Sequence, residues 1–170
     1  MSRGFVKEED QEEPPFIPPR AALPPGTINY VTPEGYQDLI KERGNLEAKL
    51  SNLDMKDEKE KRHARATLSG SLNLLKERIS SARILDPSGQ PKDEARFGAW
   101  VKFKILTGTQ QGIMRQFKLV GVDEANLKEN KIAFVAPIAR ALTGKKVGDI
   151  AEISMAGEKQ QMEILNIEYS

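Results

Sequence analysis

The fold of this chain is decided by residues 32–83, which read TPEGYQDLIKERGNLEAKLSNLDMKDEKEKRHARATLSGSLNLLKERISSAR. In the first half, apolar side chains recur at helical spacing, at Tyr36, Leu39, Leu46, Leu50 and Leu53. In the second half they recur at intervals of four and three, at Leu68, Leu72, Leu75, Ile79 and Ala82. Such narrow stripes are typical of two helices that pair through an apolar seam. Because residues 54–65 between them are almost wholly polar, the sequence predicts an antiparallel coiled-coil hairpin with helices over 34–53 and 57–83.

The start and end of this hairpin carry their own signals. Thr32 is a good N-cap residue, and Pro33 suits the first helical position because its missing N–H is not needed there. Glu34 places a negative charge at the positive end of the helix dipole. The second helix should end before Asp86 and Pro87, where turn-forming residues begin. We therefore assign residues 32–86 to the hairpin.

Residues 87–170 have a strand-like pattern instead. Five stretches rich in β-branched and aromatic residues, separated by glycines, predict strands at 97–106, 115–122, 131–135, 150–154 and 161–167. Residues 137–142 predict one short helix that begins at Pro137. The expected architecture is α+β, a helical hairpin followed by a small, mostly antiparallel sheet domain with one short helix packed on it.

Residues 1–31 differ from both parts. They contain six of the ten prolines and an acidic run that includes Glu8, Glu9 and Asp10. Proline at this density removes backbone donors and favours an extended chain, so we expect a disordered acidic tail. The alternative is an arm that docks on a partner through Phe5, Phe16 and Ile17.

The composition excludes several classes of protein. The chain has no cysteine and one histidine, His63, which excludes disulfides, thiolate zinc sites, a cysteine nucleophile and metal clusters built on several histidines. A formal net charge of +1 is too small for a strongly basic nucleic-acid binder. The sequence has neither a long apolar stretch nor an N-terminal apolar signal, so we expect a cytoplasmic protein without a membrane segment. No enzyme constellation is present, and we expect a protein that acts by binding.

Two charged groups lie at the predicted hairpin tip. The acids Asp54, Asp57 and Glu58 could hold a divalent cation or orient a water molecule, or they could form an ordinary solvated turn. The bases Lys59, Lys61, Arg62 and Arg65 could contact a nucleic-acid backbone, or they could pair with acids one helical turn away. The sequence leaves both questions open.

Four motifs in the last half of the chain carry a family resemblance. They are FGAWV at 97–101, LVGVDE at 119–124, APIARAL at 136–142 and KVGD at 146–149. Together, in this order, they resemble the C-terminal domain of the bacterial Gre transcript-cleavage factors, most closely the GreB branch. With the helix start at Thr32, the likeness covers residues 32–170.

The resemblance implies an FKBP-like C-terminal domain that binds bacterial RNA polymerase at the rim of its secondary channel. It implies polymerase contacts at Val135, Pro137 and Arg140. The hairpin would then enter the channel, where two tip acids help to hold a magnesium ion of the polymerase, and contact with nascent RNA is possible. The factor itself would be a monomer with no metal or cofactor of its own, because the active site belongs to the polymerase.

This sequence departs from the family pattern at the tip and at one contact position. The family has Asp-x-x-Glu-Asn there, whereas this chain has Asp54-Met55-Lys56-Asp57-Glu58 with no following Asn. Its arms are about ten residues shorter, roughly 15 Å of reach at 1.5 Å per residue. Val135 stands where the family usually has a polar or acidic residue.

These departures leave several functions open. The short arm favours a factor that occupies the channel without cleavage, like the Rnk-type relatives, over a factor that stimulates cleavage of backtracked RNA. The fold resemblance also admits a prolyl isomerase or chaperone. A plain coiled-coil adaptor is a further alternative, although it leaves the C-terminal motifs unexplained.

Overall fold

The computed structural model describes residues 13–170. In chain order the elements are β1 (Asn29–Val31), α1 (Pro33–Ser51), α2 (Glu58–Ser81), β2 (Ala82–Ile84), β3 (Ala99–Ile105), β4 (Met114–Val120), β5 (Lys131–Ala133), α3 (Pro137–Leu142), β6 (Ile150–Met155) and β7 (Glu158–Tyr169). Short 3-10 helices lie at Pro87–Gly89 and Leu127–Glu129. Within the described part of the chain, none of the helices combines the length and the apolar character needed to span a membrane.

The predicted helical hairpin is confirmed. Helix α1 begins after Thr32, whose side-chain oxygen accepts a hydrogen bond from the Gly35 N–H at 2.9 Å, and Pro33 occupies its first turn. Helix α2 ends at Ser81, two residues before the predicted boundary. Both boundaries depend on residues close by in the sequence, which is why the sequence alone placed them to within two residues.

The seam between the helices contains the predicted side chains. Leu39, Leu72 and Leu75 are buried, and Tyr36 and Leu46 are among the partly buried residues packed beside them. The deepest part of this small core lies at the base of the hairpin, where Leu75 is 0% exposed. Toward the tip the leucines of the seam are only partly buried. The hairpin is therefore best packed where it meets the rest of the molecule.

The C-terminal domain is a five-stranded sheet of order β5-β4-β3-β7-β6. Four of its strands form antiparallel pairs, as predicted, and β3 shifts register against β7 between Lys102 and Phe103. The sheet is mostly antiparallel, as predicted, and departs from this at one edge, where β5 pairs parallel to β4. The connection over residues 121–130 includes a 3-10 turn and returns the chain to a point beside Lys118. From there β5 runs in the same direction as β4, which gives the parallel pairing.

One face of this sheet forms the main core. Its largest fully buried side chains include Phe103, Leu119, Met162 and Ile164. Helix α3 covers the sheet through Leu142, which is 0% exposed. The short helix and the strands thus share one hydrophobic core.

The N-terminal segment corrects the prediction of a disordered tail over residues 1–31. Residues 1–12, with the anchor candidate Phe5, lie outside the described residues. Phe16 is 76% exposed, whereas the partly buried Ile17 lies against Gly70 of α2, and from there the chain runs along the hairpin. It ends in β1, which pairs parallel to β2 from Asn29 opposite Ala82 to Val31 opposite Ile84. The sequence argument failed because proline prevents regular hydrogen bonding but does not prevent packing.

A helical glycine accommodates this segment. Gly70 lies in the middle of α2, and a Cβ atom at this position would overlap the side chain of Ile17. Glycine costs about 1 kcal/mol relative to alanine inside a helix. Gly44 in α1 has open space at its Cβ position and offers a matched control.

We expect the two glycines to respond differently to alanine. Gly44→Ala should stabilise the protein by about 0.5–1 kcal/mol through helix propensity alone. Gly70→Ala should lose most of that gain or reverse it, because Ile17 must move. Urea denaturation followed by circular dichroism measures both. Equal stabilisation by both variants would show that the N-terminal segment does not pack on α2 in solution.

Candidate functional site

Three aromatic side chains from distant parts of the chain meet at one end of the sheet. Tyr30 comes from β1, Phe97 precedes β3, and Phe134 follows β5. Their ring centroids lie 5.5 Å apart for Phe97 and Phe134 and 6.0 Å apart for each pair that includes Tyr30. Tilted and edge-to-face rings at these distances attract one another beyond simple burial. The cluster therefore ties the N-terminal segment to the sheet domain.

A surface cavity of about 480 Å³ opens beside these rings. Val135 and Arg140, two of the three predicted polymerase contacts, line it together with Arg96. The third, Pro137, is exposed at the start of α3. The structure thus brings the three predicted residues to one region of the surface, where apolar rings lie beside two guanidinium groups. Such a surface is suited to a partner that presents an apolar side chain next to a carboxylate.

Tyr169, near the end of β7, holds the backbone beside Arg96 at the edge of this cavity. Its hydroxyl accepts a hydrogen bond from the Arg96 N–H at 3.0 Å and donates one to the Glu94 carbonyl at 2.5 Å. The Arg96 guanidinium also pairs with Glu94 at 2.9 Å. Burial raises the pKa of Tyr169, so the hydroxyl keeps its proton as a donor at neutral pH. Sequence reasoning missed both Tyr30 and Arg96 at this cavity.

The hairpin tip holds the other predicted site residues. Asp54, Asp57 and Glu58 are all exposed. Asp57 is the N-cap of α2, and its Oδ1 accepts hydrogen bonds from the N–H groups of Lys59 at 2.8 Å and Glu60 at 3.0 Å. Over residues 13–170 no group of three potential metal ligands is brought together, at the tip or elsewhere. The structure therefore gives Asp57 a local structural role in addition to any chemical one.

The predicted basic residues lie on the first turns of α2. Lys59, Arg62 and Arg65 are exposed, and Lys61 is partly buried. They follow the capping Asp57 and alternate with Glu58 and Glu60, so charges of both signs are mixed near the tip. This arrangement is compatible with a contact to a nucleic-acid backbone, which stays a prediction.

Comparison with known proteins gives consistent matches. The family described as "Transcription elongation factor, GreA/GreB, C-term" matches residues 90–169. The transcription elongation factor GreA of Methylococcus capsulatus is 32% identical over 120 residues, which cover 68% of this chain and 74% of the relative. GreA of Bartonella tribocorum is 33% identical over 108 residues, covering 64% of this chain and 67% of the relative.

The chain belongs to the Gre family of transcription elongation factors. GreA of Thermodesulfovibrio yellowstonii extends the match to 82% of this chain and 96% of the relative, at 29% identity. Among solved structures, GreA factor homolog 1 of Thermus thermophilus is 20% identical with a TM-score of 0.37, covering 84% of this chain and 99% of that one. The assignment rests on the sequence matches. A specific link to the GreB branch stays a prediction.

In this Gre-family protein, the LVGVDE motif forms the junction between the hairpin and the sheet. Gly121 lies against β1, and a Cβ atom there would meet the Tyr30 carbonyl oxygen at 2.6 Å. Glu124 accepts a hydrogen bond from the Thr32 hydroxyl at 2.5 Å, so the N-cap of α1 is tied to the sheet domain. The motif therefore positions the hairpin relative to the sheet.

Burial is the main reason that the pKa of Glu124 is raised, and the hydrogen bond from Thr32 and the charges of Lys131 and Lys118 oppose this shift. Glu34 contributes a smaller effect in the same direction as burial. An acid whose pKa is raised on folding binds protons more tightly in the folded protein. The free energy of unfolding therefore decreases as the pH rises from the unfolded pKa through the folded one.

We expect Glu124→Gln to reveal this dependence. At pH 7 the variant should gain stability relative to the parent protein, because it has no charge to bury and still accepts the Thr32 hydrogen bond. The advantage should shrink as the pH is lowered to below the pKa of an unfolded glutamate, where Glu124 becomes protonated in both states. Thermal unfolding across this pH range measures the difference, with the exposed Glu158→Gln as control. An advantage that stays constant with pH would contradict the proposed effect of burial.

Proposed function

We propose that this protein binds bacterial RNA polymerase at the rim of its secondary channel and modulates elongation by inserting its hairpin into the channel. The carrying observation is family membership combined with the common location of Val135, Pro137 and Arg140. The surface around the aromatic cavity would be the polymerase contact. The factor would act as a monomer and would bring no metal or cofactor of its own.

Within this function, we favour occupancy of the channel without RNA cleavage. The hairpin is short, since α1 spans 19 residues and α2 spans 24. At 1.5 Å per residue these helices are about 28 and 36 Å long. Asp57 also already accepts two backbone hydrogen bonds. In the competing mechanism, Asp54, Asp57 or Glu58 would reach the magnesium ion of the polymerase and stimulate cleavage of backtracked RNA.

Binding through the cavity rim can be tested at Arg140. Its side chain is exposed, so Arg140→Glu should preserve the fold while it repels an acidic partner group. We expect at least a tenfold loss of affinity for polymerase, about 1.4 kcal/mol. Fluorescence anisotropy with labelled protein and core polymerase measures the dissociation constant.

Arg115→Glu is the matched control for this experiment. Arg115 is exposed on β4, away from the cavity lining, and its guanidinium contacts Gln110 at 3.4 Å. Equal affinity losses in both variants would indicate a nonspecific charge effect. Undiminished binding by Arg140→Glu would contradict the proposed contact, and absence of binding by the parent protein would overturn the proposed function.

The mechanism can be tested with Asp57→Asn, a substitution that keeps the helix cap and removes the carboxylate charge. Asn caps a helix about as well as Asp, whereas Ala costs about 1 kcal/mol. In backtracked polymerase complexes we expect the parent protein to slow elongation without faster RNA cleavage, and Asp57→Asn to behave like the parent. Faster cleavage by the parent that is lost in Asp57→Asn would establish the competing mechanism, in which the carboxylate itself is needed.

A prolyl isomerase is the second candidate, because three aromatic side chains lie beside the cavity. Exchange of a model Xaa-Pro peptide between cis and trans isomers, measured with catalytic amounts of protein, tests this activity. Because the family assignment favours a transcription factor, we expect no acceleration.

A further inference from the structure

The N-terminal segment meets both parts of the molecule at one residue. Arg20 donates to Glu42 of α1, with Nη1 to Oε1 at 2.8 Å and Nη2 to Oε2 at 3.1 Å. Its Nε also donates to Asp123 Oδ1, in the loop after β4, at 3.0 Å. One guanidinium therefore joins the hairpin to the sheet domain. Arginine suits this position because its planar guanidinium presents several N–H donors in a fixed arrangement, so that one group can bond to two carboxylates.

A second arginine completes the junction from the other helix. Arg78 of α2 lies 3.4 Å from Asp123 Oδ2 through its Nε, and its Nη2 donates to the Ala21 carbonyl at 2.6 Å. The side chain of Asp123 is only 6% exposed, and those of Arg20 and Arg78 are 17% and 13% exposed. Two cations and two carboxylates thus balance in charge around the enclosed Asp123, while Glu42 at the outer edge is 43% exposed. Water screens such a cluster less than it screens a surface pair.

We propose that residues 17–23 form an intramolecular brace that fixes the orientation of the hairpin relative to the C-terminal domain, with Arg20 as its positioning residue. Ile17 against Gly70 anchors one end of the brace on α2, and the Arg78 contact with Ala21 holds its middle. Beyond it, Asn29 donates to the Arg78 carbonyl at 3.0 Å at the end of α2. The inference concerns the geometry of the free protein and does not depend on polymerase as the partner.

Orientation matters because the hairpin is a long lever. For an arm of about 36 Å, a rotation of 10° at the base moves the tip by about 6 Å. The strand pair β1–β2 and the aromatic cluster act close to the pivot, whereas Arg20 holds α1 at Glu42, more than two turns along the helix from its start. The brace therefore resists rotation with a longer moment arm than the other contacts.

The test measures the distance between the tip and the sheet in the full chain. Because the protein has no cysteine, spin labels on Lys56→Cys at the tip and Lys104→Cys on β3 are the sole labelled sites. Double electron–electron resonance should give one narrow distance in the parent protein. Arg20→Ala should at least double the width of this distribution. Arg20→Lys should give an intermediate width, because an ammonium cannot span Glu42 and Asp123 in the same way.

Controls separate orientation from general destabilisation. Arg115→Ala removes an exposed arginine outside the junction and should leave the distribution narrow. The melting temperature of each variant is recorded in parallel, and if Arg20→Ala unfolds, Arg20→Lys and Glu42→Gln decide the question in folded protein. Broadening by these variants with a preserved melting transition supports the brace. A distribution as narrow as that of the parent in folded Arg20 variants would overturn it.

Discussion

The buried carboxylate of Asp123 is the group on which the arrangement of the two parts depends. It lies in the loop after β4 and faces guanidinium groups from the N-terminal segment and from α2. A carboxylate with so little exposure is costly unless cations and hydrogen bonds surround it. The hairpin, the N-terminal segment and the sheet must therefore come together for this charge to be compensated. The neighbouring Glu124 adds the contact with the N-cap of α1.

The hairpin and the sheet were predictable because their signals are local. Helix α1 follows from Thr32, Pro33 and a stripe of leucines, all within one stretch of chain. The strands follow from stretches rich in β-branched and aromatic residues. The parallel direction of β5, however, depends on how residues 121–130 fold back. That direction has no signature in the strand itself. Periodicity thus identifies helices and strands well, but it does not specify the direction in which a loop leads one strand past another.

The N-terminal segment shows what local signals miss. Arg20 and Asp123 are 103 residues apart. No local sequence pattern around either residue indicates that the other is its partner. Strands β1 and β2 have three residues each, too few for alternation to be visible. One signal was present but ambiguous, since a glycine such as Gly70 inside a helix often marks a close approach of another chain segment. At the candidate site, the family resemblance led to Val135 and Arg140, whereas Tyr30 required the tertiary structure.

The separation of Arg20 from Asp123 also bears on how the protein forms during synthesis. Arg20 leaves the ribosome before the hairpin and the sheet domain, and its partner Asp123 follows 103 residues later. Contacts of such long range are slow to form, whereas the hairpin consists of neighbouring residues and closes rapidly. The hairpin should therefore fold before the junction exists. We therefore expect Arg20 to reach its contact with Asp123 only after the sheet domain has been completed.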